Sequence, residues 1–237
     1  MFSVIQSPTS FSSGNRDIRV DCFVPNAGGR RLPAVLALYG FGGSHVTMTD
    51  PARELAAQGF AVYVLHYFDR TGMVEAEKAA LVRHFPAWMK TIWDAVSFVE
   101  CQAETDPSRI ALIGFSLGGY LAVCISAIDP RIKAVVEFFG GLPKEMKLFM
   151  RRLCPTLILH GEDDAIVPVS EAYYLRDALE KRSVAYEIKV YPGVGHSFSG
   201  EAWRDAQSRA LAFLRKYLSD GDGPSQGTFQ PATRISG

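Results

Sequence analysis

The chain has 237 residues, of which 48% are hydrophobic and 21% charged, an ordinary balance for a globular enzyme. Basic and acidic residues number 25 each, so the formal net charge is zero and gives no electrostatic reason to expect nucleic acid or an anionic membrane as partner. No apolar run reaches the roughly 18 residues that a membrane-spanning helix requires.

The cysteines and the N-terminal residues indicate where the protein is located and whether it binds a metal. The four cysteines are scattered and contain no CxxC pair, so neither a metal site nor a disulfide framework is expected. Residues 1–15 lack the basic and apolar regions of a secretory signal. We therefore expect a cytoplasmic protein with reduced thiols, without cofactor or metal, and either monomeric or homodimeric.

Apolar segments typical of strands and helices alternate along the chain. The predicted strands are residues 18–23, 34–39, 60–66, 110–113, 134–139, 156–160 and 185–191. The predicted helices are residues 50–58, 75–84, 86–103, 117–127, 169–181 and 202–218. This alternation predicts an α/β fold with a mostly parallel sheet of about 7–8 strands and helices on both faces. Residues 1–219 are expected to form one domain, and the Gly/Ser/Pro/Thr-rich residues 220–237 a flexible tail.

The segment GFSLGG at 114–119 matches the pattern GxSxG. It lies between an apolar strand and an apolar helix, where the nucleophile elbow of an α/β-hydrolase occurs. Gly114 and Gly118 leave room for the strand and the helix to approach each other, and Ser116 would stand on the turn between them. Free N–H groups at the helix start favour developing negative charge there. Ser116 is therefore the candidate nucleophile.

A serine hydroxyl needs a base, and in this fold the chain order is serine, acid, histidine. Only His160 and His196 follow Ser116 in the sequence. His160 ends a buried strand with no strand-end acid before it, whereas His196 lies in a glycine-rich loop between the last strand and the last helix. Loops of that kind carry the sites of parallel sheets. His196 is the candidate base.

The acid should follow a strand that lies between these two residues. Residues 161–168, after the strand 156–160, contain three carboxylates: Glu162, Asp163 and Asp164. The spacing alone does not exclude Asp163 in favour of Asp164.

The oxyanion of a tetrahedral intermediate needs two hydrogen-bond donors. One candidate is the backbone N–H of Leu117, directly after the nucleophile. The other is the backbone N–H of Phe41, in the loop 39–43, whose glycines allow the backbone to approach a substrate closely.

Together these segments resemble the dienelactone hydrolase family of α/β-hydrolases, over roughly residues 32–218. The matching pieces are residues 38–43, 66–72, 114–119, 161–168 and 193–198. The resemblance selects Asp164, because the acid of relatives stands three places after the glycine of this segment and precedes Val-Pro.

The sequence departs from the family pattern at three positions. Members that open dienelactones carry cysteine as nucleophile and a glutamate in the oxyanion loop, where this chain has Ser116 and Gly40. They also bind the substrate carboxylate with two arginines; Arg70 matches the first, and Gly200 stands at the second. We therefore expect a serine-nucleophile member that is not dedicated to a carboxylate-bearing substrate.

An apolar, aromatic pocket is predicted beside the serine. The candidate substrate-binding residues are Tyr39, Phe68, Arg70, Trp88 and Phe198. Residues 69–87 could form a partial lid. Glu137 stands within an apolar strand and needs a partner if it is buried; the sequence leaves its role open.

These observations predict a carboxylesterase-like serine hydrolase that cleaves small esters through an acyl-enzyme. Three alternatives use the same site: a thioesterase, a peptidase and an acyltransferase. A non-catalytic binding module on the same fold is a further alternative, although such proteins generally lose a triad member and this chain retains all three.

Overall fold

Apolar strands buried on both faces form the centre of the molecule. The computed structural model describes residues 1–42, 45–74, 78–148 and 152–219. Its strands are β1 (Val4–Ser13), β2 (Arg16–Pro25), β3 (Leu32–Leu38), β4 (Ala61–Leu65), β5 (Thr105–Phe115), β6 (Ile132–Phe138), β7 (Thr156–Gly161) and β8 (Tyr186–Tyr191). Every residue of β4 and of β7 is buried, as expected for strands covered on both sides.

The strands form one mixed sheet in the order β1-β2-β4-β3-β5-β6-β7-β8. All pairs from β4 to β8 are parallel, and β1 and β2 pair antiparallel at one edge. The predicted, mostly parallel α/β sheet is therefore confirmed, and the fold is that of an α/β-hydrolase. Because the carboxyl ends of parallel strands lie along the same edge of the sheet, the loops after β3, β5, β7 and β8 meet at that edge.

Helices cover both faces of the sheet. The described residues form α1 (Val46–Ala57), α2 (Lys78–Glu100), α3 (Leu117–Ile128), α4 (Ser170–Glu180) and α5 (Gly200–Leu218). Helices α1 and α5 are neighbours on one face, where Gln207 donates to Glu54 at 2.7 Å. Helices α2 and α3 contact each other and β5 on the opposite face. None of the helices in the described part of the chain is long and apolar enough to cross a membrane.

Strand β1 was not predicted. It is an edge strand with mostly exposed side chains, and it contains Pro8, which edge strands tolerate. Its ten residues pair with β2 from Val4–Pro25 to Ser13–Arg16. Backbone pairing, not a hydrophobic pattern, therefore creates this strand.

The two helices predicted at 75–84 and 86–103 form one helix, α2, in the described residues from 78 onwards. Pro86 lacks the N–H that would bond one turn back, which usually breaks a helix. Here the apolar stripe continues across the proline, from Leu81 and Phe85 to Trp88 and Ile92, all packed on the core. Packing of that continuous face offsets the lost hydrogen bond.

Helix α1 begins one turn before its predicted start at residue 50, so that Pro51 lies inside it. Met48 and Ala52, one turn apart, are both buried and anchor that first turn. The predicted tail, residues 220–237, lies outside the described residues, and the domain boundary at residue 219 stays a prediction.

Candidate active site

Ser116 stands on a sharp turn between β5 and α3. Its backbone has φ 53° and ψ −118°, a strained conformation for a residue with a side chain. A Cβ on Gly114 would lie 2.2 Å from the Gly118 carbonyl oxygen, and one on Gly118 would lie 2.3 Å from that of Leu38. Only glycine fits these contacts, so the two glycines hold strand and helix close together and present the Ser116 hydroxyl at the sheet edge.

A chain of hydrogen bonds joins Ser116 to the loops after β8 and β7. His196 Nε2 lies 3.0 Å from Ser116 Oγ, and His196 Nδ1 lies 2.6 Å from Asp164 Oδ2. With the carboxylate as acceptor, Nδ1 carries the proton and Nε2 is left to accept one from the serine. The three residues selected from the sequence thus come together in the order that base-assisted nucleophilic attack requires.

Asp164, and not Asp163, is the carboxylate that reaches His196. Asp164 is buried, and its Oδ1 accepts the backbone N–H groups of Ile166 and Val167, each at 2.9 Å. The Asp163 side chain is exposed to solvent. Of the two carboxylates that the sequence left open, Asp164 is therefore the one in hydrogen-bond contact with His196.

Close backbone packing fixes the two loops against each other. The Asp163 N–H donates to the Val194 carbonyl at 3.0 Å. A Cβ on Gly161 would lie only 2.2 Å from that same carbonyl oxygen. The loop that carries the acid therefore holds the loop that carries His196.

His160, at the end of β7, contacts the loop that carries Asp164. Its Nε2 donates to the Val167 carbonyl at 2.8 Å and lies 3.4 Å from Asp164 Oδ2. Burial lowers the pKa of this imidazole, which favours its neutral form. Its place is structural, beneath the acid, as its position in a buried strand indicates.

The loop after β3 closes over the serine from the other side. A Cβ on Gly40 would lie 3.1 Å from Ser116 Cβ and 3.2 Å from the Phe115 carbonyl oxygen. Tyr67 Oη donates to the Tyr39 carbonyl at 2.8 Å and fixes the start of this loop. Phe41 and Leu117 both border the space beside Ser116. Their N–H groups remain the predicted oxyanion donors.

A cavity of about 950 Å³ opens at Ser116. Its walls are mainly apolar and aromatic, as is usual for small-molecule sites. It is lined by Tyr39, Gly40, Phe41, Gly42, Val46, Thr47, Met48, Asp50, Pro51, Leu81, Phe115, Ser116, Leu117, Tyr120, Phe139, Ile166, Val167, His196, Ser197, Phe198 and Trp203. Leu81 brings one residue of the predicted lid segment 69–87 to this cavity; residues 75–77 of that segment lie outside the described residues.

Comparison with known proteins gives the family of this chain. The model of the dienelactone hydrolase family matches residues 19–217. The chain belongs to the dienelactone hydrolase family. As a member it is a carboxylic ester hydrolase. A protein of Yersinia pestis provisionally named carboxymethylenebutenolidase is 28% identical over 185 residues, which cover 71% of this chain and 69% of that protein.

Solved structures of similar fold include two further hydrolases. A protein of Klebsiella pneumoniae provisionally named a dienelactone hydrolase superposes with a TM-score of 0.78 at 24% identity, covering 91% of this chain and 100% of that one. A thermophilic esterase of Thermogutta terrifontis gives a TM-score of 0.70 at 19% identity, covering 91% and 94%. At these identities the superpositions support the α/β-hydrolase fold alone.

Arg70, the residue that matches the first carboxylate-binding arginine of the family, does not line the cavity. Its Nη1 donates to the Ser13 carbonyl at 2.7 Å, at the turn between β1 and β2. A Cβ on Gly14 would overlap the guanidinium, so the side chain closes tightly on that turn. The prediction that Arg70 binds substrate is therefore corrected: the unpredicted edge hairpin takes its guanidinium.

Phe68 and Trp88, also predicted to bind substrate, belong to the core of this family member. Both are buried, and their ring centroids lie 4.9 Å apart. Trp88 Nε1 donates to Thr71 Oγ1 at 3.2 Å. Of the five predicted substrate-binding residues, Tyr39 and Phe198 line the cavity, whereas Phe68, Arg70 and Trp88 lie elsewhere.

Glu137 is the polar group beneath the site whose role the sequence left open. It is fully buried in β6, and its Oε2 accepts the Gly140 N–H at 2.6 Å. Among the described residues, no hydrogen-bond partner reaches its Oε1. Burial raises the pKa of this carboxyl group to about 8, so it is mostly protonated at neutral pH. The signal in the sequence was a single acid within an apolar strand.

One group of described side chains could hold a metal ion. Asp21, His45 and His66 bring an oxygen and ring nitrogens within 4.8 Å of one another. His66 Nε2 already contacts Asp21 Oδ2 at 2.9 Å, and burial lowers the pKa of His66, which favours the neutral imidazole. The expectation of no metal rested on cysteine spacing and did not consider this group.

Proposed function

We propose that this chain is a serine carboxylesterase that hydrolyses neutral esters through an acyl-enzyme. The observation that carries the proposal is the unbroken hydrogen-bonded chain Ser116–His196–Asp164 at the mouth of an apolar cavity. Family membership by itself gives only the class of hydrolase. The hydrogen-bonded chain supports a mechanism in addition.

In the acylation step, His196 Nε2 takes the proton from Ser116 as Oγ attacks the ester carbonyl carbon. Asp164 accepts from Nδ1–H and stabilises the imidazolium that forms. Its other oxygen is held by two backbone N–H groups, so the carboxylate does not need to reorganise during the reaction. His196 then gives its proton to the leaving alcohol, and the acyl group stays on Oγ.

In the deacylation step, water takes the place of the alcohol. His196 removes a proton from this water as it attacks the acyl-enzyme, and returns the proton to Ser116 Oγ as the acid leaves. In both steps the negative oxygen would rest on the N–H groups of Phe41 and Leu117. The close fit of Gly40 on Ser116 supports this assignment, because it holds the Phe41 loop beside the reacting oxygen.

The preference for neutral substrates rests on the charges of the cavity. Among the described residues that line it, none is lysine or arginine, and Asp50 is a carboxylate. Arg70 is engaged at Ser13, and Gly200 stands where relatives are expected to carry the second arginine. A substrate carboxylate would therefore enter the cavity without a cationic partner, at a cost in desolvation.

The first test is hydrolysis of p-nitrophenyl acetate and butyrate by the wild type and by Ser116→Ala. We expect turnover by the wild type and background rates for the variant, with matching circular dichroism spectra. A fluorophosphonate should add to the wild type at Ser116 alone, as read by peptide mass spectrometry. An active Ser116→Ala variant, or a wild type inert toward both the esters and the fluorophosphonate, would refute the mechanism.

The second test compares p-nitrophenyl butyrate with mono-p-nitrophenyl succinate, which has a similar length and carries a carboxylate. We expect kcat/KM to be at least about tenfold lower for the succinate ester, because it loses hydration without gaining a cation. Equal or better use of the succinate ester would contradict the preference for neutral substrates and leave the serine mechanism intact.

A further inference from the structure

A second, smaller cavity of about 310 Å³ lies between α1 and α5, over strands β3, β4 and β5. Its floor is formed by Ala37, Val62 and Ile113, one residue from each of these strands. The remaining walls come from the two helices and from Phe115 and Phe138 at the ends of β5 and β6.

The two cavities share part of their walls. Four residues line both of them: Met48, Pro51, Phe115 and Trp203. Phe115 is the residue directly before the nucleophile, so the shared wall begins next to Ser116. The smaller cavity therefore lies next to the space in which the ester carbonyl would lie, and these four residues border both.

The walls of the smaller cavity are mainly apolar, and exposed hydrogen bonds engage its glutamine and glutamate side chains. Gln207 on α5 donates to Glu54 on α1 at 2.7 Å, and Arg215 Nη2 donates to Gln58 Oε1 at 2.8 Å. Each of these polar side chains therefore already has a hydrogen-bond partner on the other side of the cavity. The surface left for a ligand is the apolar wall formed by Ala52, Leu55 and Leu211. This wall suits an alkyl chain and provides no hydrogen-bond partner for a charged group.

The position of the smaller cavity distinguishes the two halves of an ester. None of its described lining residues belongs to the loops that carry Asp164 and His196. The leaving alcohol must lie beside His196 Nε2 to receive its proton, so it occupies the larger cavity near Phe139 and Phe198. The acyl chain is then the half of the substrate directed past Phe115 and Trp203.

We propose that the gap between α1 and α5 is an acyl-chain subsite, which makes medium-chain alkanoyl esters the preferred substrate class. This inference rests on the proposed function, because the chain enters from the ester carbonyl at Ser116. Each methylene buried there contributes up to about a fourfold gain in kcat/KM until the gap is filled.

The decisive experiment measures kcat/KM for p-nitrophenyl acetate, butyrate, hexanoate and octanoate in three proteins. Leu211→Trp fills the gap from the α5 side at a partly exposed position, and Ala212→Trp adds the same ring to the exposed outer face of α5. We expect the octanoate-to-acetate ratio of kcat/KM to exceed one in the wild type and in Ala212→Trp. In Leu211→Trp that ratio should fall at least about tenfold. Leu55→Trp, which fills the gap from α1, should repeat the loss.

A binding measurement keeps the subsite testable apart from catalysis. Titration of octanamide, a neutral probe with the same alkyl chain, into Ser116→Ala, followed by calorimetry, should give saturable binding that the double variant Ser116→Ala/Leu211→Trp loses and Ser116→Ala/Ala212→Trp keeps. If the wild type hydrolyses esters but the chain-length ratio is the same in Leu211→Trp and Ala212→Trp, the subsite is refuted and the esterase mechanism stands. If no ester is hydrolysed, the mechanism fails, and absence of octanamide binding then refutes the subsite separately.

Discussion

Two carboxyl groups are buried beneath the site, near the ends of the neighbouring strands β6 and β7, and their surroundings differ. Asp164 Oδ1 receives two backbone N–H groups, and its Oδ2 receives His196 Nδ1. Glu137 receives the N–H of Gly140 on one oxygen, and the described residues offer the other oxygen no hydrogen bond. Similar burial thus comes with very different numbers of donors.

The number of donors decides which form of a buried carboxyl group is stable. Hydrogen bonds to a carboxylate are charge-assisted and compensate for lost water, so the Asp164 environment suits a negative group beside an imidazolium. A single donor does not compensate in the same way, and burial raises the pKa of Glu137 to about 8. One group is therefore suited to charge stabilisation, and the other is a mostly neutral part of the core.

The largest effect on activity is expected for Asp164→Asn, which changes the carboxyl group that receives three N–H donors. An amide at this position can donate to His196 Nδ1, which leaves Nε2 protonated and unable to accept the Ser116 proton. A fall in kcat on the order of 10³–10⁴ is expected, as for triads generally. Ester hydrolysis under substrate saturation measures it.

Asp163→Asn is the matched control, one residue away and exposed. It should leave kcat within about twofold of the wild type, because its carboxylate is solvated and outside the hydrogen-bonded chain. If the two variants exchanged their effects, Asp163 would be the acid and the geometric assignment would be wrong.

The next-largest effect is expected for Glu137→Gln, which changes the carboxyl group with a single donor. It is an effect on the free energy of unfolding. The folded wild type holds the Glu137 proton up to a pKa of about 8, while the unfolded chain releases it near 4.5. Folding stability from this group therefore falls as pH rises from about 4.5 to 8 and is constant above that range. Glutamine does not titrate, so the free energy of unfolding of the variant relative to wild type should rise by a few kcal/mol from pH 5 to pH 8.

Urea denaturation of both proteins at several pH values measures this difference. Glu180→Gln, an exposed change at the end of α4, serves as control and should follow the wild-type pH profile. Parallel profiles for Glu137→Gln and wild type would show that Glu137 is ionised in the folded protein, and the contrast with Asp164 would disappear.

The residues of the hydrogen-bonded chain were predictable because local chemistry marks them. Glycines at 114 and 118 fix the elbow, and the chain order of serine, acid and histidine limits the candidates for base. The choice of Asp164 over Asp163 needed either the family resemblance or the structure, because it depends on which side chain turns inward.

Features that depend on distant packing were not predictable in the same way. Strand β1 is held by backbone pairing with β2, which leaves no apolar pattern. Arg70 was assigned to the pocket from a motif, but its direction is set by that same unpredicted hairpin. Phe68 and Trp88 are aromatic like pocket residues, and only the position of the continuous helix α2 makes them core.

The smallest effect in the comparison is expected for Gly140→Ala, which acts on the single donor of Glu137. A Cβ at this position would lie 2.7 Å from Glu137 Oε2 and 3.0 Å from Gly119 Cα, so the carboxyl group and the turn must move apart. We expect a loss of about 1–3 kcal/mol in the free energy of unfolding, the usual cost of overpacking. Gly42→Ala, where a Cβ would meet open space, should leave that free energy nearly unchanged. If Gly140→Ala were as stable as Gly42→Ala in urea denaturation, the Glu137 carboxyl would be free to shift, and its contact with the Gly140 N–H would not be what fixes it beneath the elbow.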